Sequence, residues 1–423
     1  MKRIILFIFV FLFGMTIFAQ DVDTGTSTTG TRAGTGPDMS YYTQVYNRPG
    51  SSFVDRLELL RTLQNANLTG IGSFYHDALK LLLLRSPDIR TSADRDAMED
   101  SARILCRGLA AEKYIQAAPD LWQLVQFTDT IRSVNNGIVM QEALITLGQI
   151  GATDFVPHIA LRLDNYNTAI TSDTESRRRI QRGVVGCINA LEALHDPSGY
   201  TSVFFASIGW YDQAIRTIAD DALPNIMDDP GEIISGIIRN SNNPPSVKYT
   251  AWQEMLRTKA PNESKAKAAA VALATGWSYS TGDTSGQRSL REMRMSAIDT
   301  IRQLGVVDNS VYADLQRSYS NNYINNTPNY DEIRRVLSTL SALKTDESVG
   351  LLVGFLKDLN GRRQFGPWGN KERDIFTWLV PSVGATRTSS QEAREVLTLI
   401  QRSSYYTSAE QNLARDALRE LGL

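Results

Sequence analysis

Residues 139–164, VMQEALITLGQIGATDFVPHIALRLD, carry a pattern that recurs along much of the chain, and a recurring pattern limits the fold more than any single motif does. Ala143, Leu144 and Leu147 fall on one helical face, and Ile150 follows at the same spacing. Gly148 and Gly151 suit close packing and a left-handed helix end. Asp154 is placed to cap the next helix, with Pro157 allowed in its first turn and Ile159 and Leu163 on its apolar face. Two short amphipathic helices joined by a tight turn cannot each bury an apolar face alone, so the unit requires stacked copies of itself.

The copies are present. Leu337, Leu340, Leu343, Glu347, Val349, Leu352 and Leu356 match Leu144, Leu147, Ile150, Asp154, Val156, Ile159 and Leu163 without a gap. A third copy aligns Ile188, Leu191, Leu194, Tyr200 and Val203, with His195 and Pro197 where the first has Gly151 and Thr153. Ile301, Leu304, Gly305 and Val307 repeat the helix end, as do Ala417, Leu418, Leu421 and Gly422. The long interval between Leu191 and Leu304 leaves room for two degenerate units, at 219–238 and 252–274. No stretch alternates long enough to build a sheet, so the chain reads as all-α.

The run A-L-x-x-L-G-x-I-G-x-x-D-x-V-P-x-I at 143–159 resembles the HEAT-repeat family, in particular its short, lyase-type HEAT-like branch. The resemblance is specific in that unit and looser in the others, and it covers about half the chain. It implies a right-handed α-solenoid of antiparallel helix pairs whose extended surfaces serve as scaffolds or docking sites. Some lyase-type members attach chromophores and some HEAT-like glycosylases bind DNA, but nothing in this sequence points to bilin chemistry.

Residues 1–19 read as a secretory signal peptide: Lys2 and Arg3 precede fifteen almost wholly apolar residues, 4–18, and Ala19 is a small residue at the end. That run is short of the roughly 20 residues a spanning helix needs, which makes an uncleaved anchor the weaker alternative. No cysteine stands near the cleavage site to accept a lipid, and no later run is long enough to span a membrane. The expected compartment is a bacterial periplasm. Cleavage leaves 42 basic against 46 acidic residues, a net charge of −4, which argues against nucleic acid as a partner. Residues 20–50 read as a flexible linker whose Thr/Gly/Ser tract buries too little to order itself, with 39–50 either loose or packed on the first helices. Residues 51–135 read as a helical capping region opened by Ser51 or Ser52, and 136–423 as the HEAT-like repeats. Residues 163–179 read as an inter-repeat loop or insertion.

The inventory for chemistry is thin. His76, His158 and His195 are the only histidines, and none has a second His or Cys at metal-ligand spacing, so no metal site and no cofactor is expected. The pairs Asp220–Asp221 and Asp228–Asp229 read as caps and surface charges, and Arg177, Arg178, Arg179 and Arg182 as a solvated helix start. Cys106 and Cys187 sit in helical apolar patterns and read as buried free thiols. No nucleophile elbow, P-loop or dinucleotide fingerprint occurs.

What stands out is aromatic. Trp277 and Tyr279, Tyr319 and Tyr323, Phe365 and Trp368, and Tyr405 and Tyr406 lie in stretches rich in Gly, Asn and Ser, the setting of adaptable recognition surfaces. If successive insertions emerge on one edge, these rings form a row along a rim. The expectation is therefore an exported, non-enzymatic protein-binding scaffold serving a cell-envelope assembly. The alternative is a glycan- or peptidoglycan-binding module in which the same rings stack on sugars.

Overall fold

The computed structural model describes residues 39–130, 137–306, 308–325 and 327–422, so the stretches read as a signal peptide and as the Thr/Gly/Ser tether up to residue 38 lie outside the described residues. Twenty α-helices and no strand occur among them. The first ten are α1 (Ser40–Tyr46), α2 (Phe53–Asn65), α3 (Gly72–Arg85), α4 (Ser92–Ala111), α5 (Ala118–Thr130), α6 (Ile138–Gln149), α7 (Val156–Thr168), α8 (Thr174–Leu194), α9 (Tyr200–Ser207) and α10 (Gln213–Ile226). The second ten are α11 (Gly231–Arg239), α12 (Pro245–Arg257), α13 (Asn262–Ser278), α14 (Thr284–Leu304), α15 (Ser310–Ile324), α16 (Tyr330–Leu343), α17 (Asp346–Phe365), α18 (Asn370–Ala385), α19 (Gln391–Arg402) and α20 (Ser408–Glu420).

Every substantial packing contact joins helices one or two apart in chain order. Even-numbered helices pack in series, as α2 on α4, α4 on α6, α6 on α8, and α14 on α16, α18 and α20 in turn; odd-numbered helices do the same from α7 to α19. Contacts confined to neighbours are what stacked repeats produce, since each unit meets only the units beside it. The core runs the length of the chain as one continuous apolar cluster.

The repeat register survives into the packing. Leu144, Leu147, Ile150, Val156, Ile159 and Leu163 are buried, as are Leu337, Leu340, Val349, Leu352 and Leu356, and Ile188, Leu191, Tyr200 and Val203. A polar contact repeats with them. Thr146, one residue before Leu147, donates its hydroxyl to the Cys106 carbonyl of α4 (3.3 Å), and Thr339, one residue before Leu340, donates to the Ile298 carbonyl of α14 (3.3 Å). The close approach expected at Gly148 is real: a Cβ there would stand 2.8 Å from the Ala190 Cα of α8. Gly151 takes φ +76, the left-handed conformation that favours glycine.

Local details correct or narrow the sequence reading in four places. Asp154 does not cap α7; it lies in a 3-10 turn, and Pro157 occupies the first turn of a helix with no side-chain cap. Of the two alternatives left open for 39–50, packing on the first helices is the one seen, since Tyr46 is buried and its backbone carbonyl accepts from Arg56 Nε (3.0 Å). Residues 163–179 are mostly helical: α7 continues to Thr168, Tyr166 is buried, and Asp173 caps α8 through Ser176 N (2.8 Å). The capping region 51–135 extends the repeat contact scheme through α2, α3, α4 and α5, opened by Ser52 in a reciprocal capping box with Asp55.

Cys106 and Cys187 are both buried, and neither belongs to a disulfide. Burial, with Glu142 nearby, pushes the Cys106 thiol up to about 12, so the reactive thiolate is scarce at neutral pH. Native protein is expected to resist iodoacetamide at both positions and to take up two labels only in denaturant, read by intact mass. No described helix is long and apolar enough to cross a membrane.

Candidate functional site

The eight aromatic residues do not form an exposed row. Tyr319, Tyr323, Trp368 and Tyr406 are buried, and Trp277 and Tyr279 are partly buried against the core. Only Phe365, 94% exposed, and Tyr405, 54% exposed, face solvent fully. The reason lies in the polar residues beside the rings. Tyr319 and Tyr323 belong to α15, not to a loop, and stand on the face that begins at Tyr312 and Leu315. Ser318 and Asn322, which give that stretch its loop-like composition, are themselves buried and hydrogen-bonded: Ser318 Oγ accepts from Trp277 Nε1 (2.5 Å), and Asn322 Nδ2 donates to the Ser318 carbonyl (2.8 Å).

The rings instead build a platform under the edge formed by α15, α17 and the segment between α19 and α20. Tyr319 stacks on Phe355 at 3.8 Å between centroids, with planes 14° apart. Tyr323 lies 4.9 Å from both the Arg362 guanidinium and the Lys371 ammonium, and Lys371 also donates to the Tyr323 carbonyl (2.9 Å). After α17, Gly366 and Pro367 turn the chain back so that Trp368 packs on Phe376 (4.9 Å) and edge-on to Tyr406 (5.5 Å), with Arg363 over its face (5.5 Å). Tyr406 donates its hydroxyl to Asn360 Oδ1 (2.8 Å).

Phe365 is the last residue of α17 and therefore stands at the rim of this platform. Arg363, two residues earlier, donates from Nε to the Tyr405 carbonyl (2.9 Å) and so ties α17 to the segment carrying the second exposed ring. Ile324, 75% exposed, ends α15 beside the Tyr323 that Arg362 and Lys371 cover. The edge thus presents apolar groups among charged ones, with Arg362 paired to Asp358 (2.9 Å) and Glu372 accepting from the Tyr323 hydroxyl (3.4 Å). Burial, against the opposing pull of Arg362, holds the Tyr323 hydroxyl at about 12, and burial also raises those of Tyr319 and Tyr406, so all three phenols remain neutral donors.

The remaining titratable candidates have structural partners. His76 Nε2 bonds Asp120 Oδ2 (2.7 Å), His158 packs between Trp122 and Phe155, and His195, at φ +52, ends α8 and donates from Nδ1 to the Asn225 carbonyl (2.6 Å). Asp229 accepts from Gly231 N (3.1 Å) and Ser264 Oγ (2.5 Å), while Asp220 is held by Arg257. Arg177 leans over the Trp210 ring at 5.8 Å. No three His, Cys, Asp or Glu residues cluster to hold a metal among the described residues.

Sequence reasoning missed two features. Arg294 and Glu332 form a buried bidentate pair across α14 and α16, and Arg294 lies 3.9 Å over the Trp277 ring. Lys248, fully buried, donates to the Ile238 and Asn240 carbonyls at the end of α11. No spacing rule reveals partners 38 residues apart, although an arginine three residues before an apolar face residue, Ala297, was a visible oddity. No protein-family model matches the chain, and no curated protein is significantly similar to it.

Proposed function

We propose that the chain is an exported, non-enzymatic scaffold that docks a protein partner at the edge carrying Phe365 and Tyr405. The series of neighbour contacts is what a solenoid of stacked helix pairs requires, and on this reading the array is a right-handed, HEAT-like one serving a periplasmic cell-envelope assembly. The observation that carries the reading is Phe365: a large ring almost fully in water, at the end of α17 and three residues before the buried Trp368. Preorganised aromatic and arginine side chains are the groups that dominate protein interfaces. The partner that fits is an apolar pocket with an acidic rim, matching Phe365, Ile324, Arg363 and Lys371. A glycan-binding reading would draw on the same rings, of which Phe365 and Tyr405 are the exposed ones.

Phe365→Ala is expected to leave the denaturation midpoint nearly unchanged, since exposed substitutions stay within about 0.5 kcal/mol. The same change is expected to weaken a partner complex by about 30-fold or more, the cost of losing a hot-spot ring of about 2 kcal/mol. Quantitative co-purification from cell envelopes reads the difference. Undiminished recovery of the partner with Phe365→Ala would sink the assignment of this edge.

A further inference from the structure

The even-numbered series of helices has one weak joint. α8 packs on α10 and α12 packs on α14, but α10 and α12 make no comparable contact. The two helices either side of the joint, α8 and α14, are 21 residues long, whereas α10 and α12 are 14 and 13, and Pro224 interrupts the hydrogen-bond ladder in the last turn of α10. A cavity of about 380 Å³ opens there. One side chain bridges it: Arg257 of α12 bonds both oxygens of Asp220 on α10, at 3.2 and 3.0 Å, and also one oxygen of Glu254.

Two features of the lining point to a ligand. Tyr200, at the start of α9, is 1% exposed, yet its hydroxyl is buried with no hydrogen-bond partner among the described residues. A buried hydroxyl left unpaired costs about 1–3 kcal/mol, and such groups are rare in native proteins unless something else supplies the bond. Glu254, 7% exposed, shares the Arg257 guanidinium with Asp220, and Asp228 and Lys259 also line the cavity, so three carboxylates stand against two cations there. Desolvation raises the Glu254 carboxyl despite Arg257, as expected of a carboxylate short of positive charge. Leu223, Met227 and Pro230 make part of the remaining wall apolar.

We infer that this cavity binds a small primary-ammonium compound, its ammonium donating to the Tyr200 hydroxyl and to the Glu254 carboxylate and its carbon chain lying on Leu223 and Met227. The ammonium supplies the missing charge and the donor that the Tyr200 oxygen lacks. An anion would add to the excess of carboxylates over cations in the lining, and a neutral alcohol would leave that excess uncompensated. The site stands on a different part of the array from Phe365, so it does not depend on the docking edge.

The test is calorimetric titration of the exported full-length protein with n-butylammonium, with n-butanol and butyrate of equal chain length as controls. Saturable binding of n-butylammonium alone is expected, weakened about tenfold or more by Tyr200→Phe, as loss of one hydrogen bond to a charged group implies. Tyr200→Phe removes only a hydroxyl that bonds nothing, so the ligand-free melting temperature should hold or rise and a folding defect cannot account for the loss. Glu254→Gln should weaken binding further. Absence of binding, equal binding of the three probes, or an undiminished affinity in Tyr200→Phe would overturn the inference.

Discussion

Arg294→Ala is expected to be among the most destabilising single substitutions in the chain, costing about 3–5 kcal/mol, because it strands a carboxylate that has no other ion-pair partner among the described residues. Glu332 is wholly inaccessible, and its two oxygens take Arg294 Nε at 2.8 Å and Nη2 at 3.0 Å. The third arginine bond goes to the Gly276 carbonyl (2.9 Å), and the guanidinium is sandwiched against Trp277, whose indole N–H reaches Ser318. One ion pair therefore links α13, α14, α15 and α16. Glycine at 276 is part of the same fit, since a Cβ there would stand 2.4 Å from Arg294 Cγ. The pair need not stabilise the fold relative to an apolar one: the double change Arg294→Met with Glu332→Leu should recover most of the loss. Urea denaturation of Arg294→Met, Glu332→Leu and the double variant gives the coupling directly. Independent, additive losses would show that the pair is not the unit described.

Trp368→Ala should cost about 3–5 kcal/mol, the usual range for emptying a buried aromatic site. The ring fills the space between Phe376 and Tyr406 and carries Arg363 on its face, so its loss loosens the return of the chain from α17 to α18 and the anchorage of the α19–α20 segment. Its indole N–H has no partner among the described residues, so Trp368→Phe should cost much less than the alanine change. Differential scanning calorimetry separates these cases from Phe365→Ala three residues earlier, which should melt as the parent does. Were Trp368→Ala to melt unchanged, the platform under the proposed docking edge would not be the rigid body on which that reading depends.

The contrast between these two neighbours also marks how far the sequence could be read. The repeat register at Leu144, Leu147 and Leu163 was legible because aliphatic residues at helical spacing leave few other solutions, and each of those positions is buried. Tyr319 and Tyr323 were misread because their neighbours are Ser and Asn; composition signals a loop, but a buried polar residue with a satisfied hydrogen bond is compatible with a helix interior. Trp368 and Phe365 look alike in the sequence, and only the turn at Gly366–Pro367 decides that one ring goes inward and the other stays out. The Arg294–Glu332 pair and the unpaired Tyr200 hydroxyl depend on which helices become neighbours. One unit of the repeat separates such partners, beyond the reach of local spacing rules.

The most direct test of the docking edge is photo-crosslinking inside cells from a reactive amino acid at position 365, with position 161 as control. Leu161 is 61% exposed on α7, far along the series from α17, so it samples the same compartment without the edge. A single dominant protein adduct from 365, absent from 161 and diminished by Tyr405→Ala, is the predicted result. Wall fragments, identical products from both positions, or no adduct from 365 would contradict a protein-docking role for this edge.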